Sequence, residues 1–279
     1  MAQKQTSKSN ADALSKNKFA ETLLSISHRF SLFTVFDDFL TMSIAACTQN
    51  PETKKSWYEE EYLETIAKDK DSELRHEFPK AFAYLVTEME DRVGSSLGND
   101  VLGDFFEQYI SNGRNSQFFT PWPVCQFMAS ITKDNTDKLP DEENEKSRSL
   151  RILDPACGSG RMLLASHKIN GPGHEYYGID IDRTCVKMTA LNLFLNGVWN
   201  SEVMCANALL PDDFVISYHI SFLPLGIFKI EEKEKSRLWH LQRDALTADK
   251  RKGNGDAIIL DPTPFSERKK DDVSQLDLF

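Results

Sequence analysis

The sequence predicts an α/β fold with a parallel, Rossmann-like sheet, preceded by a helical amino-terminal region. Two observations support this prediction. After residue 150, short apolar runs alternate with longer amphipathic stretches, which is the pattern of parallel strands joined by right-handed crossover helices. Before residue 113, apolar residues recur at helical spacing, as in helices that bury one face.

The amino-terminal region is predicted to contain three helical segments. Residues 1–12 are polar and are expected to form a disordered tail, and residues 13–132 form the helical region. Within it, NDVLGDFFEQYIS begins with an Asn-Asp pair suited to a helix N-cap. The apolar residues that mark one long first stretch and a second one are Leu23, Leu24, Phe30, Phe33, Phe36, Phe39 and Leu40, then Phe82, Leu85, Val86 and Met89.

A charged loop separates this region from the α/β domain. Residues 133–149 carry many charges and no periodic apolar residues, so they are predicted to be solvated. The α/β domain is assigned to residues 150–265 and a flexible tail to residues 266–279. Strands are predicted in LRILD, EYYGIDI and SEVMCANAL, and helices in GRMLLASHKI, RTCVKMTALNLFLNG and KIEEKEKSRLWHLQRDALTADKRK.

Composition limits the classes of function. The net charge of −10 argues against a protein that binds DNA by its own charge alone, although a partner could provide the DNA-binding surface. No run reaches the roughly 18 apolar residues of a membrane span, and the polar start is no secretory signal, so no membrane partner is expected. The five cysteines lie far apart without a C-x-x-C pair, which favours reduced thiols in the cytoplasm over a metal site.

The segment DPACGSG places a glycine bend directly after the first predicted strand. Ligands of open parallel sheets bind outside the carboxyl ends of the strands, so this bend is in the right place for one. Gly158 and Gly160 permit backbone angles that a side chain forbids. The third glycine of the dinucleotide fingerprint is missing and no Gly-Lys-Ser/Thr follows, so phosphate binding is poorly supported. A tight turn with no ligand is the alternative.

Two carboxylates favour a ligand without phosphate. Asp154 ends the first strand, where it would repel a phosphate but attract an ammonium group. Asp180 ends the second strand, where a carboxylate can accept hydrogen bonds from both hydroxyls of a ribose. A ligand with a ribose, an adenine and a cationic tail fits this pattern, and S-adenosylmethionine is such a ligand.

Three ordered motifs carry a family resemblance. DPACGSG followed by YGIDID, with QFFTP upstream, resembles the cofactor motifs of adenine-specific DNA methyltransferases, particularly the modification subunits of type I restriction systems. The resemblance implies the S-adenosylmethionine-dependent methyltransferase fold and that cofactor. It also implies that Phe119, Thr120 and Pro121 fold over the methionine end of the cofactor.

The resemblance assigns the other cofactor residues in chain order. The family's methionine-binding positions correspond to Asp154, Ala156, Cys157, Gly158 and Gly160. Asp180 would bind the ribose and Ile181 would pack on one face of the adenine. On the third strand the family usually has an Asp that accepts from the adenine amino group. Asn207 stands there, either as an uncharged acceptor or as an ordinary turn residue.

The family's base-binding motif is missing from its usual place. It is [ND]-P-P-[FY] at the end of a fourth strand, and the expected window, FLPLGIFKIEEKEKS, lacks it. In AIILDPTPF, Asp261 and Phe265 resemble the motif with Thr263 inserted, which makes them the candidate catalytic residues. A strand that ends in a proline turn is the alternative. Because few residues follow, the catalytic half of the sheet is predicted to be shortened and the sheet incomplete.

The last five residues form a second motif. Gln275, Leu276, Asp277, Leu278 and Phe279 resemble the pentapeptide by which bacterial replication and repair proteins dock on the sliding clamp. Two apolar side chains would enter a pocket while the glutamine fixes the register. The alternative is a tail that packs on its own domain.

The sequence therefore predicts a methyltransferase that transfers a methyl group from S-adenosylmethionine to the exocyclic amino group of adenine in DNA. DNA is the expected partner, with help from a specificity subunit. A rival hypothesis is a non-catalytic cofactor-binding or adaptor protein that acts with a DNA-bound partner. A methyltransferase of small molecules or proteins is the third alternative.

Overall fold

The chain divides into two compact units, Met1–Phe119 and Thr120–Phe279. A computed structural model describes residues 17–28, 30–48, 58–67, 73–111, 118–136, 149–210 and 212–252. The predicted residues Asp261 and Phe265 and the pentapeptide 275–279 lie outside these ranges.

The first unit is helical in its described residues. Its helices are α1 (Lys18–Ile26), α2 (Leu32–Ala46), α3 (Glu59–Ala67), α4 (Glu73–Asp91) and α5 (Val101–Phe105). A π-helical turn, Phe106–Ser111, follows α5 directly. The capping prediction for α5 is confirmed, because the Asp100 carboxylate accepts the backbone N–H of Gly103 at 2.8 Å.

The first long amphipathic stretch of the sequence forms two helices and not one. Ser31 interrupts it, since its hydroxyl accepts the backbone N–H of Thr34 and thereby caps α2. Phe19 and Phe39 pack with ring centroids 5.4 Å apart, and Phe36 stacks on Phe105 at 5.3 Å. These buried rings hold α1, α2 and α5 together.

The second unit is an α/β domain with a five-stranded sheet in the order β1-β2-β3-β4-β5. Its strands are β1 (Arg151–Asp154), β2 (Glu175–Asp180), β3 (Ser201–Ala206), β4 (Phe214–Phe222) and β5 (Leu225–Ile230). Its helices are α6 (Trp122–Thr136), α7 (Arg161–Asn170), α8 (Arg183–Leu195) and α9 (Arg237–Lys252), with a short 3-10 turn at Lys233–Lys235.

The predicted α/β fold is confirmed, and its parallel part comprises three strands. β1, β2 and β3 are parallel neighbours, as the alternation of apolar runs and helices predicted. β4 and β5 are antiparallel and extend the sheet beyond β3, so the sheet is mixed. Within the ranges described above, β1 pairs with β2 alone.

Helices cover both faces of the sheet. Tyr176 of β2 packs against His167 of α7 with ring centroids 5.3 Å apart. The next residue, Tyr177, points to the other face, where the Arg237 guanidinium lies 5.7 Å from its ring centroid. On that second face the strands and α9 share one buried apolar cluster. Its members are Leu153, Tyr177, Ile179, Met204, Ala206, Leu238, Trp239, Leu241 and Ala245.

A buried carboxylate fixes the start of α9. Glu202 of β3 is 2% exposed, and its Oε1 accepts the hydroxyls of Ser217 at 2.7 Å and Ser236 at 2.6 Å. Its Oε2 accepts the backbone N–H groups of Arg237 at 3.1 Å and Leu238 at 3.3 Å. A negative charge at the first turn of a helix satisfies otherwise unpaired donors, so this side chain joins β3, β4 and α9.

No helix in the described ranges is long and apolar enough to cross a membrane. All five cysteines are free thiols. Four of them are buried, and Cys47 is partly exposed.

Candidate functional site

The candidate site begins with the turn that joins β1 to α7. Ala156 donates its backbone N–H to Asp154 Oδ1 at 3.1 Å, and Gly160 donates to the carbonyl of Cys157 at 2.7 Å. Gly158 and Gly160 have φ values of +54° and +84°, in the left-handed region that favours glycine. The two predicted glycines therefore make this bend by their backbone conformation.

Cys157 anchors the turn to the neighbouring strand. Its backbone N–H donates to the carbonyl of Ile179 at 2.9 Å. Its thiol is buried against Gly178, where an added Cβ would lie 3.0 Å from the sulfur. Burial raises the pKa of this thiol, which favours the protonated form. Cys157 therefore contributes to the site through its backbone, while its side chain packs inside.

The carboxylate of Asp180 reaches back to the turn from the end of β2. Its Oδ2 accepts the backbone N–H of Gly158 at 2.9 Å, and its Oδ1 accepts that of Asp182 at 2.9 Å. The structure thus brings together the two sequence-predicted groups, the glycine turn and the second-strand acid. Each carboxylate oxygen keeps a second lone pair, with which it can accept a ligand hydroxyl.

Asp154 and Asp180 form a negative pair at the carboxyl ends of two adjacent parallel strands. Burial raises the pKa of Asp154, and the charge of Asp180 raises it further. Burial also raises the pKa of Asp180, while the N–H groups of Asp182 and Gly158 oppose that rise. Neither carboxylate forms an ion pair with a lysine or arginine of the described ranges. A cationic ligand group would therefore stabilise the ionised pair.

Exposed apolar side chains follow β2 and β3. Ile181 directly follows Asp180 and is 76% exposed, and Leu209 after β3 is 79% exposed. Large exposed apolar side chains next to polar groups are typical of ligand-binding surfaces. The position of Ile181 fits its predicted contact with a flat ring.

Asn207 acts as a turn residue at the end of β3. Its side-chain oxygen accepts the backbone N–H of Leu209 at 3.0 Å. Its backbone N–H donates to Asp213 Oδ2 at 3.1 Å, and its carbonyl accepts Gln242 Nε2 at 2.8 Å. Of the two roles that the sequence left open, this geometry favours the turn. It also brings the carboxylate of Asp213, which the sequence did not indicate, next to the end of the third strand.

Thr120 lies beside the start of α7. Its carbonyl accepts Arg161 Nη1 at 3.3 Å and the thiol of Cys125 at 3.3 Å. Arg161 is 7% exposed and directly follows the glycine turn, so the Thr-Pro part of the QFFTP segment is tied to that turn. Pro121 directly precedes α6, and its carbonyl accepts the backbone N–H groups of Val124 and Cys125 in the first turn of that helix.

Phe119 belongs to the first unit. Its backbone N–H donates to Glu107 Oε1 at 2.8 Å, and its ring stacks on Phe106 at 5.9 Å.

Two buried polar residues of α8 contact the turn and were missed by the sequence interpretation. Thr189 Oγ1 donates to the carbonyl of Gly158 at 2.8 Å, and Asn192 Nδ2 donates to that of Ser159 at 2.8 Å. The available signal was a Thr and an Asn three residues apart within the apolar run MTALNLFL of this helix.

The window searched for a base-binding motif lies far from this site. Residues 222–236 form the tip of the β4–β5 hairpin, β5 and the 3-10 turn, at the opposite edge of the sheet from β1. The predicted catalytic residues Asp261 and Phe265 are outside the described residues, so their placement stays a prediction.

The part of the chain that carries the candidate site matches a known protein family. The N-6 DNA methylase family matches residues 97–224. A type I restriction enzyme methylase subunit, MpnII of Mycoplasma pneumoniae, is 24% identical over 188 residues, which are 64% of this chain and 33% of that protein. The type II methyltransferase M.MamI of Microbacterium ammoniaphilum is 30% identical over 128 residues, which are 39% of this chain and 34% of that protein.

Two further proteins are similar. The type II restriction enzyme and methyltransferase RM.BcgI of Heyndrickxia coagulans is 25% identical over 48% of this chain and 22% of its own length. A solved methyltransferase subunit of a type I restriction-modification system from Streptococcus thermophilus has 18% identity and a TM-score of 0.35. That likeness covers 74% of this chain and 60% of the other. The matches to the curated relatives cover about a third of their length or less.

Proposed function

We propose that this chain, whose residues 97–224 match the N-6 DNA methylase family, is a member of that family and binds S-adenosylmethionine where β1, β2 and β3 end. The observation that carries the proposal is the hydrogen bond between Gly158 and Asp180, which holds a glycine turn beside two carboxylates without cationic partners in the described ranges. Calorimetry with S-adenosylmethionine and S-adenosylhomocysteine tests it, and no binding at millimolar concentration contradicts it.

The residues present fit this cofactor. Asp154 would accept from the ammonium group of its methionine part, and Asp180 from the ribose hydroxyls. Ile181 would cover one face of the adenine ring. When bound, the cofactor supplies an activated methyl group on a positively charged sulfur. Two carboxylates with raised pKa values are suited to a positively charged ligand, whereas they would repel a phosphate.

We propose adenine in DNA as the methyl acceptor, with Asp261 and Phe265 holding the base. An adenine acted on by an enzyme leaves the helix and stacks on an aromatic ring, and its amino hydrogens need acceptors. Transfer of tritiated methyl groups to mixed DNA tests this assignment. Phe265→Ala should abolish transfer, while Phe222→Ala, a matched change at an exposed hairpin residue, should not. Equal activity of Phe265→Ala and wild type excludes Phe265.

A second candidate is a cofactor-binding protein that needs a partner for catalysis. It is favoured by one observation: residues 222–236, where the family's base-binding motif is expected, lack that motif and form the hairpin tip, β5 and the 3-10 turn at the opposite edge of the sheet from β1. A protein that binds S-adenosylmethionine but methylates no DNA alone would support it. Methyl transfer to a protein or a small molecule in the same assay would support the third alternative.

We propose two partners for the complete assembly. A specificity subunit would provide the DNA-binding surface, because a chain of net charge −10 does not bind DNA by charge alone. The terminal QLDLF would dock on a bacterial sliding clamp. Deleting residues 275–279 should abolish clamp pull-down without changing cofactor affinity, and unchanged clamp binding excludes the docking role.

A further inference from the structure

Helix α8 holds the glycine turn from within the protein. Thr189 and Asn192 are three residues apart, so they lie on one face of the helix, and both are 0% exposed. Their donors reach two consecutive carbonyls of the turn, those of Gly158 and Ser159, each at 2.8 Å. Because water has no access to these side chains, the helix itself supplies the partners of both carbonyls.

The same helix also limits the conformation of Gly160. A Cβ added at Gly160 would lie 2.8 Å from Thr189 Cγ2, so the backbone of the turn packs directly on this side chain. Thr189 therefore acts on the turn twice, through its hydroxyl and through its methyl group. Both contacts are to the backbone of the turn, as is the hydrogen bond from Asn192. The two residues therefore fix the conformation of the turn and do not themselves contact a ligand.

We propose that Thr189 and Asn192 are positioning residues that hold the turn 157–160 in the shape that binds the methionine part of S-adenosylmethionine. This inference rests on the proposed function. It adds that affinity for the methionine part depends on two residues that make no contact with the ligand. Affinity for the adenosine part depends on them less, because that part lies at Asp180 and Ile181, and Asp180 is held by the Asp182 N–H as well as by the turn.

Two ligands separate this role from a merely structural one. S-adenosylhomocysteine carries both parts, whereas 5′-methylthioadenosine lacks the amino acid. Thr189→Val keeps the shape of the side chain but removes its donor. It should weaken S-adenosylhomocysteine binding about tenfold, because without this bond a smaller fraction of molecules keeps the turn in the binding shape, and apparent affinity falls with that fraction. It should leave 5′-methylthioadenosine within about twofold of wild type.

Three further variants complete the experiment. Asn192→Leu should repeat the selective loss, and Thr189→Ser, which keeps the donor, should restore affinity for S-adenosylhomocysteine. Thr184→Val makes the same chemical change at another buried threonine of α8 and should leave both affinities unchanged. Thermal unfolding is measured for every variant, so that affinities are compared at temperatures where each protein is folded.

The outcomes are distinct. Selective loss of S-adenosylhomocysteine binding supports the positioning role. Equal loss of both ligands, or no loss of either, contradicts it while leaving cofactor binding intact. Wild-type protein that binds neither ligand contradicts the proposed function and this inference together.

Discussion

The backbone N–H of Gly158 donates a hydrogen bond of 2.9 Å to the carboxylate of Asp180. This bond joins the bend after β1 to the end of β2, so the glycine turn and the second-strand acid take their positions together. The Asp182 N–H, at 2.9 Å from the other oxygen, fixes the orientation of the same carboxylate. A ligand that contacts both the turn and Asp180 thus meets a site whose two halves are already aligned.

Asp154→Asn should stabilise the ligand-free protein and weaken its binding of S-adenosylmethionine. The substitution removes a partly buried charge that Asp180 disfavours, while the amide oxygen can still accept the N–H of Ala156. The loss of one charge-assisted hydrogen bond to the ligand should cost about tenfold in affinity. Thermal unfolding and calorimetry measure the two effects. Glu60→Gln, an exposed acid of α3, is the control and should change neither.

Affinity for S-adenosylmethionine should rise with pH above 3.8. The pKa values of Asp154 and Asp180 are raised above that ordinary value in the folded protein, so the folded state binds more protons than the unfolded one. These two groups therefore make their whole contribution to the free energy of unfolding below pH 3.8, and this contribution is lost as the pH rises through their raised pKa values.

A cationic ligand favours the ionised pair, so its binding should release protons over the same interval. Calorimetry in buffers of different ionisation enthalpy measures that release. It should be smaller in Asp154→Asn than in wild type. Affinity that is independent of pH, or that falls as pH rises, would contradict the assignment of the two acids.

The parallel half of the sheet and its turn could be predicted from the sequence because their signals are local. The apolar run RILD, the glycines and the acids at the strand ends identify β1, β2 and the site between them. The direction of β4 could not be predicted in this way. No strand is predicted over Phe214–Phe222 or Leu225–Ile230, and the sequence pattern alone does not show that β4 turns back and pairs with β3 in antiparallel register.

The roles of Asn207 and Thr189 show a second limit. A short polar residue at a strand end fits both a ligand contact and a turn, and only the bond from Leu209 N–H to Asn207 distinguishes them. Thr189 and Asn192 are buried residues of α8, and the sequence does not show which turn their donors reach. Tertiary contacts, and not residue type, decide both cases.

Glu202→Gln should destabilise the second unit without lowering cofactor affinity. The carboxylate accepts bonds from two serines and two backbone N–H groups. In Gln, an amide nitrogen in the place of Oε2 leaves both N–H groups facing a donor, and in the place of Oε1 it forces the serine hydroxyls to accept and to lose their present acceptor. A buried donor without a partner costs about 1–3 kcal/mol. Urea unfolding measures the loss. The exposed residue Glu232 provides the control, since Glu232→Gln should change the free energy of unfolding little. A selective loss of cofactor binding in Glu202→Gln would contradict a purely structural role for Glu202.

Gly160→Ala should destabilise the protein for two separable reasons. Its φ of +84° disfavours any L side chain by about 1–2 kcal/mol, and its new Cβ would lie 2.8 Å from Thr189 Cγ2, which adds an overpacking cost of about 1–3 kcal/mol. Gly197→Ala isolates the first cost, because Gly197 has a φ of +69° but only ordinary contacts, at 3.7 Å or more, with Trp199.

Thr189→Ser removes the methyl group nearest to the new Cβ, while Thr189 Oγ1 at 3.2 Å and Cβ at 3.3 Å remain close, so it relieves part of the second cost. In a double-mutant cycle of the free energy of unfolding, Thr189→Ser should recover part of the overpacking loss of Gly160→Ala and leave a remainder above that of Gly197→Ala. Additive effects would mean that Thr189 and Gly160 do not interact. A coupling of the expected sign, together with selective loss of S-adenosylhomocysteine affinity in Gly160→Ala, would show that α8 and the turn act as one binding element.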